Sequence, residues 1–363
     1  MLPVRLGAIA SLGAASLTIA VIGGDRSVIA QSKKVAKTEH VAPAPQLTWP
    51  LPPETPRIRY VTSYHGVGDF KRAKKPSKLM SVLLGAQDPS ARPSDVMVKP
   101  YGVAVAPDGR VYVADTAARR VFAFDVESRA VSFIGENGDG RLTKPVGVAV
   151  DAQGTIFVAD GTLKRVFGYS PDGRLTIAIG HDGELTSPSG LAVDRPNNRL
   201  YVADASRHQI LSYSTLDGSP RAAIGRRGSE PGEFNFPTNL TVDASGHLYV
   251  TDTLNFRIQI FDAEGRFLKT FGTLGDAPGY LNRPKGIGVD SEGHVYVIDA
   301  SFNNFQIFDP DGQLLLFVGA GGSQPGEFFL PAGLFIDAED RIYVADQGNS
   351  RVQVFRYVKG ATK

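Results

Sequence analysis

Apolar residues along this chain come in short runs rather than at helical spacing. The clearest stretch, Pro237 to Gly272 (PTNLTVDASGHLYVTDTLNFRIQIFDAEGRFLKTFG), predicts four strands separated by an Asp-x-x-Gly turn, an Asp-led loop and a Glu-Gly turn. A lone four-stranded sheet leaves one apolar face in water, so this unit calls for neighbours of its own kind. The sequence supplies them. Opening prolines recur at Pro100, Pro145, Pro188, Pro237, Pro284 and Pro331, each followed two residues on by Gly or, at Asn239, by Asn. Every second strand ends in Asp, at Asp115, Asp160, Asp204, Asp252, Asp299 and Asp346. Five copies close on Gly135, Gly180, Gly225, Gly272 and Gly319, whereas the sixth stops one strand short at RVQVFRYVKGATK. An orphan strand, RIRYVTSY from Arg57 to Tyr64, is the piece that completes it. The predicted fold class is all-β: a six-bladed β-propeller whose last blade is closed by an N-terminal strand, because repeats of roughly 45 residues stack face to face around a channel and a shared blade hides both ends.

The first 30 residues are patterned differently. Arg5 precedes an uncharged run from Leu6 to Ile22, and Val28-Ile29-Ala30 offers a small-residue cleavage site. This predicts a signal peptide over 1–30 with cleavage before Gln31, and the alternative is an uncleaved membrane anchor. Residues 31–56 contain APAPQLTWPLPPETP and read as a Pro-rich linker, with Trp49 docking on the domain. The propeller is expected over 57–363, with a closing strand at 57–64, a basic insertion at 69–99 and repeats at 100–363. Within the insertion, Ser77 caps a short helix over Lys78 to Leu84, and the Lys71, Arg72, Lys74, Lys75 and Lys78 cluster reads as a solvated edge.

Composition narrows the function classes. Lys+Arg 39 against Asp+Glu 37 leaves a formal net charge of +2, too balanced for a dedicated nucleic-acid-binding face. The lack of cysteine removes disulfides, thiolate metal sites and a cysteine nucleophile. The expected protein is exported, periplasmic or extracellular. It touches a membrane only through an uncleaved N-terminal segment.

The most regular polar feature is an Asp ending the second strand with an Arg five residues on: Asp115 and Arg120, Asp160 and Arg165, Asp252 and Arg257, Asp346 and Arg351. Recurring with the scaffold, these predict loop-bracing ion pairs, and the pattern breaks at Gln209 and Asn304. Antiparallel strand direction places the second-to-third-strand loops and the blade connectors on one face, around the channel mouth. Arg119, Lys164, Arg207, His208, Asn255, Phe256, Phe302, Asn303 and Asn349 fall there. Of these, Phe256, Phe302, Asn255, Asn303, Arg207 and His208, with Asn239, are the candidate ligand-binding residues, suited to a protein, peptide or glycan. The competing reading tucks the two rings under the neighbouring Gly-rich loops. His247 and His294 follow the glycine of a first turn and belong to the opposite face; His181 and His208 lack a carboxylate of known geometry. GRRGSEPGEF, GTLGDAPGYL and GAGGSQPGEF lack the Gly-Lys-Ser/Thr ending of a phosphate loop and are blade connectors.

The repeated phrase resembles the NHL-repeat family, with DTLNFRIQIFDAEGRFLKTFG and DQGNSRVQVF as its nearest copies, over a region running from Arg57 to the C-terminus. Together with the export segment and the joined last blade, it is similar to exported bacterial members of that family. The resemblance implies a six-bladed propeller and leaves function open, since propellers host enzymes and docking platforms alike. Related amidating lyases hold zinc with channel histidines, where this chain has Gly or Asn at the corresponding strand starts. Sugar lactonases of similar shape use a Glu, Asn and Asp set around a divalent ion, where this chain offers Asn239 without an obvious Glu partner. The leading expectation is an exported, non-catalytic binding propeller with no cofactor and no catalytic or metal residue. The alternative is a divalent-metal-dependent lyase or hydrolase at the channel mouth, which requires a divalent cation.

Overall fold

The computed structural model describes residues 47–51, 53–70 and 95–359. The expected signal peptide, the Lys78 to Leu84 helix, the basic cluster and most of the linker lie outside the described residues. Among those described, no helix is long and apolar enough to cross a membrane.

Six antiparallel sheets follow one another along the chain, and the inner strand of each packs on the inner strand of the next. The inner strands are Pro100–Val105, Pro145–Val150, Pro188–Asp194, Pro237–Val242, Pro284–Val289 and Pro331–Ile336. The last packs back on the first, which makes the chain a closed six-bladed propeller. The opening proline has no N–H to give to the ladder, and each blade shows a register shift directly after it. Burial then falls from the axis outward. Second strands such as Val111–Asp115 and Val295–Asp299 are buried at every position because neighbouring blades cover both faces, whereas the outer strand Pro220–Ile224 is largely exposed.

The hydrophobic core is a set of six clusters, one between each adjacent pair of blades, including one that joins Val103 and Val113 of the first blade to Tyr343 and Val354 of the last. Close approach of the inner strands fixes their third residue. A Cβ on Gly147 would sit 2.1 Å from the Ser189 carbonyl oxygen, and one on Gly333 2.2 Å from that of Tyr101. One residue further along, Val103, Val148, Leu191, Leu240, Ile287 and Leu334 form a ring of buried aliphatic side chains that plugs the channel.

The closing blade has one strand more than the four expected. Ile58–Tyr64 pairs antiparallel with Arg351–Tyr357, with Tyr60 opposite Phe355. Thr48–Trp49 then adds a fifth strand outside it, so the assignment of 31–56 as linker throughout is corrected at these two residues. The reason is packing: the Trp49 ring meets Phe355 edge-on at 5.7 Å and covers Gly326. Past Tyr64 the chain enters the insertion, whose described ends are joined by a Gly66 to Val96 bridge and anchored by buried Phe70 and Met97.

Candidate functional site at the connector face

Each of the six strand-ending aspartates is fully buried and accepts the backbone N–H of the residue two before its blade's opening proline, for example Val98 to Asp115 at 2.6 Å and Phe329 to Asp346 at 2.8 Å. The carboxylate therefore staples the incoming connector to the blade, and this explains its recurrence. The expected ion pair forms in blades four and six, Arg257 to Asp252 at 2.9 Å and Arg351 to Asp346 at 2.8 Å. It is corrected in blade one, where Arg120 meets Glu136 at 2.6 Å and lies over the Phe133 ring, because the apolar outer strand there offers a face to stack on. Burial pushes the Asp252 carboxyl up, against the pull of Asn255, the Asn235 amide and Arg257.

The three connectors before blades four, five and six share a second anchor. Buried Gln259, Gln306 and Gln353, each central in a third strand, accept the N–H of Gly232 (2.9 Å), Gly279 (2.6 Å) and Gly326 (2.9 Å). Their amide nitrogens donate to the carbonyls of Glu233 (2.7 Å), Tyr280 (2.8 Å) and Glu327 (2.7 Å). Sequence reasoning gave these glutamines no role. Their recurrence in RIQIF, NFQIF and RVQVF, each paired with a Pro-Gly connector, is the signal that identifies them.

Most of the polar candidates prove to be connector braces. Asn255 donates to Gly228 O and to Asp252 (2.9 and 2.8 Å), as Asn349 does to Gly322 O and Asp346 (2.8 and 2.9 Å). Arg207 donates to Glu184 O at 2.6 Å. His208 Nδ1 accepts the Phe236 N–H at 3.1 Å, and Asn303 Oδ1 accepts the Leu330 N–H at 2.9 Å. Phe256 and Phe302 lie in the loops of neighbouring blades and are both half-buried; among the described residues no ring contact joins them. His247 and His294 hydrogen-bond Asp243 and Asp290 within their own turns.

The exposed apolar side chains of this face are different ones, among them Phe236, Leu254, Leu274, Tyr280, Phe329 and Leu330. Phe236 and Leu330 hold left-handed backbone, φ 62° and 51°, immediately before the opening prolines of blades four and six. Large side chains are uncommon in that region, where Gly or Asn is cheaper. Below them, the Lys285 ammonium donates to the Tyr101 hydroxyl at 3.1 Å across the mouth, above the small Ala332.

Asn239 stands apart from the rest, in the narrow neck above the aliphatic ring, with a buried Oδ1 that has no hydrogen-bond partner. Glycine and aliphatic side chains supply the rest of the neck's lining. One side-chain oxygen does not make the six-to-eight-oxygen set calcium takes, nor the four ligands of zinc, so the neck does not fit a divalent cation. Among the described residues no group of three or more His, Asp or Glu is placed to hold one.

The architecture is that of a six-bladed propeller with a plugged channel and a face raised by long, pinned connectors. The chain belongs to the NHL-repeat propellers: residues 185–213 and 234–261 match the NHL repeat, and 289–358 match a six-bladed beta-propeller family. Residues 62–183 match the SMP-30/Gluconolactonase/LRE-like region. NHL repeat-containing protein 2 of Bos taurus is 33% identical over 103 residues, which cover 26% of this chain and 14% of that protein. Against the curated relatives it matches, the chain spans between 5% and 14% of their length. Among solved structures, a gluconolactonase from Xanthomonas campestris superposes with a TM-score of 0.57 at 18% identity, covering 72% of this chain and 87% of that one. A streptogramin B lyase gives 0.54 at 15%, covering 72% and 94%. At these identities the likeness is one of fold.

Proposed function

We propose that this propeller is a binding protein that recognises an extended peptide or protein segment on its connector face. The observation that carries the reading is the pair Phe236 and Leu330: large apolar residues kept exposed and in left-handed backbone, each locked by a side chain of the preceding blade. A connector needing only to turn is better served there by Gly or Asn, and strained, pre-organised apolar groups suit contact with a partner. Phe256 and Phe302 extend this surface as half-buried flanks. Membership of a repeat family whose propellers commonly bind proteins supports the same reading. Export completes the proposal and places the partner outside the cytoplasm; N-terminal sequencing of the mature chain should then begin near Gln31, and an intact cytosolic product contradicts it.

Panning a random-peptide phage library on the full chain tests the surface. Peptides should be enriched on the wild type and lost on Phe236→Ser/Leu330→Ser, with Phe256→Ala/Phe302→Ala as a second arm. Undiminished capture by both variants, each with a native circular dichroism spectrum, sinks the proposal. The unpaired Asn239 oxygen and the lactonase-type match favour one second reading, a hydrolase or lyase working in the mouth. Turnover of a lactone or ester by the purified protein, lost in Asn239→Gly, is the result that would shift the assignment.

A further inference from the structure

The face opposite the connectors, made by the turns between first and second strands, holds a cavity of about 350 Å³. Its walls are the last residues of the inner strands, among them Val150, Val242, Val289 and Phe335, and its floor is the aliphatic ring that plugs the channel. One cation stands at the rim. Arg195 comes from a turn one residue longer than its counterpart in blade four (Asp194 to Leu200, against Asp243 to Leu248) and reaches across two inner strands. Its Nε donates to Val150 O at 3.3 Å and its Nη2 to Val105 O at 3.1 Å. Among the described residues these two carbonyls are its only hydrogen-bond partners, and no carboxylate pairs with it.

The nearby acids are engaged elsewhere. Asp194 accepts from the Asn197 side chain at 2.8 Å, Asp151 from the amides of Gln153 and Thr155, and Asp243 from His247 and Tyr249. Burial pushes the Arg195 guanidinium below its ordinary range, with Asp151 opposing, yet a guanidinium stays charged at neutral pH. A charged fork with N–H groups left over, at the polar rim of a pocket whose floor is aliphatic, is half of an amphiphile site.

We propose that this cavity binds an aliphatic monocarboxylate, its chain packed along Val150, Val242, Val289 and Phe335 and its carboxylate on the free edge of the Arg195 guanidinium. A single negative charge is indicated because only one cation faces it, and Asp194 and Asp243 on the same rim, although each already accepts hydrogen bonds, add a repulsion that a second charge would double. A volume at the lower end of the range for ligand pockets indicates a medium-length chain. The site is independent of the connector-face reading, since the plug lies between them.

Isothermal titration of the full chain with octanoate, octanol and acetate tests it. Octanoate should bind saturably at one site; octanol, with the chain but no charge, and acetate, with the charge but no chain, should each bind at least about tenfold more weakly. Arg195→Met should weaken octanoate by about tenfold or more and leave octanol unchanged. Val242→Phe, which fills the cavity and leaves the cation, should abolish octanoate binding while near-ultraviolet dichroism stays native. Octanol binding as tightly as octanoate, no saturable octanoate binding, or a native-like Val242→Phe that binds octanoate unchanged overturns the proposal. The wild-type comparison stands even where a variant fails to fold.

Discussion

Gln353 has no exposed surface; its amide oxygen accepts the Gly326 N–H, and its amide nitrogen donates to the Glu327 carbonyl of the connector beside it and to the Asp346 carboxylate. Replacing it with Leu keeps the volume and orphans both backbone groups, at about 1–3 kcal/mol for each left unpaired. Gln353→Leu should therefore lower the urea midpoint and raise amide exchange at Gly326. Charge adds a second residue-level test. Asp340 accepts from the Ser291 N–H and hydroxyl (2.9 and 2.8 Å) and pairs with Lys359 at 3.2 Å. Burial pushes its carboxyl up, and the Ser291 bonds with Lys359 overcome this and hold it below the usual range. A carboxyl lowered on folding contributes stability above its unfolded-state pKa and loses it as pH falls through the folded value. Acid titration of stability should accordingly be shallower in Asp340→Asn than in the wild type, and equal slopes would remove Asp340 from the account.

Closure is decided by whole strands rather than single contacts. Ile58–Tyr64 covers the edge of Arg351–Tyr357, and Trp49 in turn packs on Phe355, which also meets Tyr60 and Phe328. Trp49→Ala removes an aromatic pair worth about 0.5–1.5 kcal/mol beyond its buried area, so thermal unfolding should move down by a few degrees and stay cooperative. Deleting 47–64 instead exposes a long strand edge, and concentration-dependent association in light scattering is the expected result. The blades themselves were legible because strand and turn residues recur in phase six times. Thr48–Trp49 was not, since two residues between prolines carry no alternation to read. Phe256 and Phe302 stood out by residue type, whereas the exposure of Phe236 and Leu330 depends on a backbone twist that no side-chain pattern records. Arg195 was hidden for the same reason, as DRPNNR looks like any polar turn until Val105 and Val150 are brought beside it.

Across the whole ring, the aliphatic plug of Val103, Val148, Leu191, Leu240, Ile287 and Leu334 separates two faces built from different parts of each repeat. Connectors and second-to-third-strand loops vary on one side, first-to-second-strand turns on the other, and both are held by backbone bonds to buried aspartates and glutamines rather than to each other. Distant sites without shared partners usually behave additively. The connector variant Phe236→Ser/Leu330→Ser should thus lose peptide capture with octanoate binding intact, and Arg195→Met should show the reverse. Combining them should sum the two losses with no coupling. A measured coupling of more than about 0.5 kcal/mol would mean that the plug transmits strain between the faces. Leu240, which follows Asn239 on the same inner strand and belongs to the ring, is then the first position to change, because Leu240→Ala loosens the plug and deepens the cavity floor while leaving Phe236, Leu330 and Arg195 in place.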